Sequence, residues 1–234
     1  MVKLLEKRRF AVIGLGIFGR VLALELARAG AEVIAIDKRA EPVEEIKEEV
    51  TYAIQMDATD VRLLQMHGIH EVDAAIVAIG EHFEALVLIA AELLNLNTPR
   101  VFARAATLTQ RRILQRIGVT DIISPEEEAA QRLAMLLLLP KVLDYLQLSD
   151  EYAILEVEVP PSMVGHTLAD LALRKRYHIN VITIRRPTGK HTEEGEPEFE
   201  VLGVPGPDTV LQAGDTLVVF GKPEDVERML LASG

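Results

Sequence analysis

The chain has no cysteine and no tryptophan among its 234 residues. Without cysteine there are no disulfides, no thiolate metal ligands and no sulfur nucleophile, which agrees with a cytoplasmic location. Serine is scarce as well: Ser124, Ser149, Ser162 and Ser233 are the four in the chain, and none has an evident activating partner. No apolar run approaches the ~18 residues of a membrane-spanning helix. Leu133 to Leu139 is an apolar helical segment that Pro140 ends or kinks. The opening MVKLLEKRRF holds too short an apolar stretch for a signal peptide. Positive charge is in deficit, with 25 Lys and Arg against 36 Asp and Glu and a net charge of −11. Such a surface repels a phosphate backbone, so non-specific nucleic-acid binding is excluded as a main role and no nucleic-acid partner is expected.

What remains is ordinary for a globular protein, with 49% hydrophobic and 26% charged residues, in a length that suits one large domain or two small ones. The most informative stretch is FAVIGLGIFG, Phe10 to Gly19. Its apolar start reads as a buried parallel strand, and Gly14, Gly16 and Gly19 fill a G-x-G-x-x-G template opening a helix. Gly14 permits a tight turn, Gly16 lets the backbone approach a pyrophosphate, and Gly19 lets helix and strand pack closely. The helix start then directs free N–H groups at an anion. Alone the motif is weak. It gains weight because a second strand, Glu32 to Ile36, delivers Asp37 at its carboxyl end. The interval from Gly14 is close to the roughly 20 residues that separate such a turn from a ribose-binding carboxylate.

Beyond Asp37 the pattern keeps alternating. Strands are expected at Thr51 to Met56, Asp73 to Ile79, Arg100 to Arg104 and Thr120 to Ile123, and helices at Glu41 to Glu49, Val61 to His67, Phe83 to Leu94 and Leu108 to Ile117. Thr59 and Asp60 are both candidate caps for the Val61 helix. This alternation implies parallel crossovers and a doubly wound α/β sheet of Rossmann type. Pro125 and the acids Glu126 to Glu128 open a helix expected to run to about Leu148. Its apolar content, including Ala134, Leu137, Leu138, Val142, Leu143 and Leu146, fits packing on a partner chain or burial between two domains. Asp150 is the expected linker position.

From Tyr152 the pattern becomes that of a smaller α+β domain. Strands are expected at Tyr152 to Val159, Ile179 to Arg185 and Thr216 to Phe220, with helices at Leu168 to Lys175 and Pro223 to Leu231. Thr188 to Glu198 reads as a polar exposed stretch, and no internal repeat links the halves. The expected division is 1–125 for the nucleotide-binding domain, 126–150 for a crossover helix and linker, and 151–234 for the second domain.

With these motifs in view, the chain resembles the cytoplasmic regulatory subunits of bacterial Trk and Ktr potassium transporters. Those are built from N- and C-terminal RCK (regulator of K⁺ conductance) domains. The resemblance rests on AVIGLGIFG, on EVIAID ending at Asp37, on DAT at Asp57 to Thr59, on AIVAIG ending at Gly80, on IGVTDIISPE ending at Glu126, and on LQAGDTLVVFG from Leu211 to Gly221. It implies ATP, ADP or NAD(H) in the first domain and dimers assembling into rings, often octameric. It also implies a place at the inner face of the cell membrane, under a membrane-embedded potassium-conducting subunit.

By the same resemblance, Gly14, Gly16 and Gly19 with the intervening Leu15, Ile17 and Phe18 surround the phosphates, and Asp37 holds the adenosine ribose. Lys38 and Arg39 follow it, Asp57, Ala58 and Thr59 lie beside the adenine, and Ala78, Ile79, Gly80 and Arg104 lie near the phosphates. A carboxylate accepts from both ribose hydroxyls and repels a 2′-phosphate, which disfavours NADP despite Lys38 and Arg39. Glu126 matches a glutamate of a divalent-cation site (Mg or Ca) in Ktr-type members, and it equally suits a helix-start charge. Arg174, His178, Asn180 and Val181 fall in the region where some members bind cyclic di-AMP, and they equally suit an ordinary surface helix and strand. In one respect the chain departs from the pattern: Ile17-Phe18 stand where Ktr subunits commonly carry an arginine that reaches the terminal phosphate. That role would then fall to Arg20, Arg104 or an arginine of the partner chain.

Two other classes compete. An NAD-dependent oxidoreductase shares the glycine fingerprint but needs a positioned acid/base group. The histidines, His67, His70, His82, His166, His178 and His191, are scattered. A gating ring cut from a potassium channel fits less well with a start at Met1 just before the first strand. The sequence therefore points to a ligand-responsive switch and not to an enzyme.

Overall fold

The computed structural model describes residues 8–192 and 195–233. The opening segment up to residue 7 and two residues of the polar 188–198 stretch lie outside it. Two compact units meet between Glu128 and Ala129.

The first unit runs β1 (Arg9–Ile13), α1 (Ile17–Arg28), β2 (Glu32–Asp37), α2 (Ala40–Ile46), β3 (Tyr52–Gln55), α3 (Val61–Met66), β4 (Ala74–Val77), α4 (Phe83–Asn95), β5 (Val101–Arg104), α5 (Leu108–Ile117) and β6 (Asp121–Ile123). The strands form one sheet in the order β3-β2-β1-β4-β5-β6, with every neighbouring pair parallel. That is the order of a Rossmann sheet, with its topological switch point between β1 and β4. Alternate residues of each strand enter opposite cores. Ala11, Ile13, Ile34, Ile36, Ala75 and Val77 pack with α3, α4 and α5 residues such as Leu64, Leu86 and Leu114. Val12, Val33, Ala35 and Ile76 pack with Ala23, Val43 and Ile46 of α1 and α2. Burial on both faces explains why these strands read as continuous apolar runs. Local signals set several boundaries: Asp60 caps α3 by accepting the Arg62 amide at 3.0 Å, and Gly118 ends α5 at φ 102°.

The second unit contains β7 (Val142–Gln147), β8 (Ala153–Glu158), α7 (Leu168–Leu171), α8 (Leu173–Tyr177), β9 (Asn180–His191), β10 (Pro197–Val201), β11 (Thr216–Gly221) and α9 (Pro223–Ala232). Its antiparallel sheet has the order β10-β9-β11-β8-β7. Leu155, Val157, Leu217 and Val219 bury one face against Leu171, Tyr177, Val226 and Met229.

Two expectations about the 126–150 segment are corrected. The helix opened by Pro125, α6 (Pro125–Leu138), does not reach Leu148. Instead Val142 to Gln147 form β7, paired with β8 from Val142↔Val157 to Gln147↔Ala153, and Asp150 lies in the connection between those strands, inside the second unit. A short apolar run suits either state. Pro140 bars helix continuation, and the adjacent β8 edge decides the rest. The described residues of the polar 188–198 stretch are exposed, as expected, and β9 extends through its start to His191 and pairs with β10.

Candidate functional site

The register of the parallel sheet assembles the site. Ile13 pairs with Ile36 on one side and Val77 on the other, so β1, β2 and β4 end at one level. The chain leaves that level through bonds that tie the ends together: the Gly14 amide donates to Ile36 O at 2.7 Å, Ala78 N to Ile13 O at 2.7 Å, and Met56 N to Asp37 O at 3.0 Å. Gly14, Asp37, Met56 and Ala78 thus meet at the carboxyl edge beside the switch point, where open α/β sheets bind ligands.

The three glycines are required for different reasons. Gly14 has φ +95°, and a Cβ there would lie 2.9 Å from Ile79 Cγ1. A Cβ on Gly19 would fall 1.9 Å from Gly14 O, so a side chain there is sterically excluded. Around Gly16 nothing lies within 4 Å, and its dihedrals (φ −68°, ψ −173°) suit any residue. The fold itself does not demand glycine at 16. Open space in front of the unpaired first turn of α1 is what a phosphate needs.

Asp37 is buried, at 7% exposure, and its carboxylate is enclosed by donors. Oδ2 accepts the Leu15 amide at 2.8 Å, and Oδ1 accepts the Arg39 amide at 2.9 Å. The Arg39 guanidinium adds Nε to Oδ1 at 3.2 Å and Nη2 to Oδ2 at 3.4 Å. Burial alone would raise the carboxyl, but the hydrogen bonds from the Arg39 side chain and from the Arg39 and Leu15 amides outweigh it. The group sits below its ordinary value of 3.8 and is ionised at neutral pH.

The other predicted residues fall around this centre. Leu15, Ala58 and Ala78 are buried and shape the turn, while Lys38, Asp57 and Thr59 are exposed at the strand ends. Asp57 Oδ1 accepts the Thr59 hydroxyl at 2.7 Å and the Thr59 amide at 3.0 Å, and those bonds lower its carboxyl. Phe18 packs in the α1–α2 core, whereas Ile17 is 92% exposed. A Cβ on Gly80 would lie 2.7 Å from an Arg104 guanidinium nitrogen, so Gly80 and Arg104 are neighbours.

Arg104 donates Nη2 to Glu126, and its Nε is buried without a partner. Arg20 is likewise engaged, by Glu45. Both intrinsic substitutes for the missing arginine are therefore held by a carboxylate, a pairing the sequence did not disclose. Among the described residues no group of three or more His, Asp or Glu side chains, at Glu126 or elsewhere, is placed to hold a metal ion. In the second unit, Arg174, His178 and Asn180 are exposed where α8 leads into β9, Val181 is half-buried, and the His178 amide donates to Arg174 O at 3.2 Å.

Sequence reasoning missed one wall of the site. Lys38 and Thr59 face His82, Phe83, Glu84, Ala85 and Leu88 across an open cleft of about 410 Å³. The available signal was the position of His82 and Phe83 just after the AIVAIG strand, on the other side of the switch point.

Strand order, glycine turn and buried carboxylate define a Rossmann-type nucleotide-binding fold, joined in this chain to a small antiparallel α+β domain. The TrkA-N domain family matches residues 10–125 and the TrkA-C domain family residues 153–232. The chain is 35% identical over 222 residues to "Ktr system potassium uptake protein C" of Bacillus subtilis (strain 168), covering 95% of this chain and 96% of that protein. It is 32% identical over 224 residues to "Ktr system potassium uptake protein A" of the same organism, covering 96% of each. The chain belongs to the Ktr potassium uptake protein family, with a TrkA-N and a TrkA-C domain. Among solved structures, the GsuK RCK domain superimposes with a TM-score of 0.52 at 24% identity, over 97% of this chain and 47% of that one. At that identity the likeness is one of fold. No helix among the described residues is long and apolar enough to cross a membrane.

Proposed function

We propose that this protein is a nucleotide-responsive regulatory component of a potassium uptake system, which binds ATP, ADP or NAD(H) in its first domain. The observation that carries the reading is the register that sets the open glycine turn at α1 beside the ionised, buried carboxylate of Asp37. The α1 N-terminus offers backbone donors to phosphates, and Asp37 offers acceptors to the 2′ and 3′ hydroxyls of an adenosine ribose. The base then occupies the cleft between Lys38, Thr59 and the start of α4. A divalent cation completes the site at Glu126, with ligands from phosphate or from a second chain. Cyclic di-AMP at Arg174, His178, Asn180 and Val181 is the corresponding reading for the second domain.

Membership of the Ktr family supports a membrane-embedded potassium-conducting subunit as partner and a location at the cytoplasmic face of the membrane. The exposed face of α6, with Leu133, Leu137 and Leu138 at 57%, 72% and 73% exposure, supports a homodimer as the unit of a ring, with an octamer as the expected size. Such a protein acts by binding and not by turnover.

The test titrates the purified protein with ATP, ADP, NAD⁺ and NADH, then measures potassium flux through the membrane subunit with and without each ligand. Saturable binding by at least one of them, with flux that follows occupancy, is the expected result. A steady NAD(H)-dependent absorbance change with a small hydroxy acid or aldehyde would establish an oxidoreductase instead.

A further inference from the structure

The Asp37 carboxylate is saturated by the protein's own donors. A carboxylate has about four lone-pair positions, and here four donors take them. They fall into two classes. The Leu15 and Arg39 amides, at 2.8 and 2.9 Å, belong to the backbone of the turn and of the β2 end, which the sheet register holds in place. The Arg39 Nε and Nη2 contacts, at 3.2 and 3.4 Å, are longer and come from a side chain that is 59% exposed. The number of displaceable donors equals the number of hydroxyls on an unmodified ribose.

We infer that Arg39 is a built-in occupant of the ribose seat, a specificity-determining residue that a nucleotide must displace through both its 2′ and 3′ hydroxyls. This rests on the ribose role of Asp37 proposed above. Two backbone bonds keep the carboxylate aimed whether or not ligand is present. The guanidinium satisfies its other two positions when the site is empty, so no buried charge is left short of partners. A ribose with both hydroxyls replaces two donors with two donors. A ligand lacking them leaves the ion pair in place and gains nothing at Asp37. Once released, Arg39 is not stranded, because it is largely exposed and the carboxylates of Glu41 and Glu81 contribute to the field around it. The sequence offered Arg39 only as a neighbour of the ribose carboxylate. The structure makes it a competitor.

The test compares wild type with Arg39→Gln, which keeps an exposed polar side chain but loses the charge, using ADP and 2′,3′-dideoxy-ADP in calorimetry. For the variant we expect ADP binding tighter by roughly two- to fivefold, the range for losing a half-exposed ion pair that competes with ligand. Dideoxy-ADP should bind both proteins alike. Arg39→Gln binding ADP with unchanged or weaker affinity overturns the inference, and a loss shared by both ligands assigns Arg39 to the base or phosphates. If wild type and Arg39→Gln each bind ADP and dideoxy-ADP equally, the ribose role of Asp37 fails and this inference falls with it. A diol preference in wild type with no gain in the variant overturns the role of Arg39 alone.

Discussion

Asp37 carries more of the proposed function than any other side chain, and its environment sets what can be measured there. Replacing it with alanine leaves the Leu15 amide without its acceptor and removes the ribose acceptors. Asp37→Ala should weaken ADP or NAD(H) binding by about 1–3 kcal/mol, the range for hydrogen bonds to a charged group; unchanged affinity in calorimetry would reject the ribose assignment. The pH dependence follows from the depressed carboxyl. A folded-state value below the unfolded one means the folded chain binds fewer protons, so the stabilising contribution is complete above about pH 4 and is lost as pH falls through the lower, folded value. Nucleotide affinity should accordingly be flat, as far as Asp37 is concerned, from about pH 8 to about pH 5. A titration step near neutrality that disappears in Asp37→Asn would contradict this.

At the scale of elements, the turn between β1 and α1 separates folding from binding within six residues. Gly19 is needed for the helix to sit on the strand, since a Cβ would fall 1.9 Å from Gly14 O. Gly16 has free space around it. Gly19→Ala is therefore expected to destabilise the first unit by several kcal/mol, on the order of an overpacked core site. Gly16→Ala should retain the wild-type melting curve while losing phosphate binding, because its methyl group fills the approach to the helix N-terminus. If both variants melt alike, the division of labour is wrong. In the second unit the connection into β11 is held by Asp215, which is 1% exposed and accepts Arg186 Nε at 2.8 Å, Arg186 Nη2 at 2.7 Å and the Gln212 amide at 2.8 Å. Arg186→Ala strands that carboxylate and should cost about 3–5 kcal/mol in denaturant unfolding. A cost below about 1 kcal/mol would mean that water replaces the guanidinium.

At the scale of the whole molecule, a switch must tell its ligands apart by differential affinity for two states. ATP and ADP share adenosine and differ by one phosphate, so discrimination belongs at that phosphate. A tenfold shift in populations takes about 1.4 kcal/mol, within reach of one charge-assisted hydrogen bond. Ile17 has no group to offer, and Arg20 and Arg104 are held by Glu45 and Glu126. Recruiting either arginine means breaking an ion pair, which couples the terminal phosphate to α2 or to the start of α6. X-ray scattering of the assembled protein should then give different profiles with ATP and with ADP. Superimposable profiles, together with potassium flux that ignores the nucleotide, would exclude this mechanism.

The sequence by itself determined the parallel sheet, the glycine turn and the place of Asp37. Each of those is written in a local pattern: doubly buried strands as apolar runs, the turn as glycines at set spacing, and the carboxylate as an acid closing a strand. The tertiary structure decided what no local pattern contains. Whether Val142 to Gln147 became helix or strand depended on an unpaired β8 edge, and the hairpin of β9 and β10 arose from backbone pairing that polar side chains do not announce. The cleft wall at His82 and Phe83 and the hold of Glu126 on Arg104 likewise exist only once the strand ends are brought to one level. An ion pair or a cleft is a relation between side chains in space, and the sheet register supplies that relation.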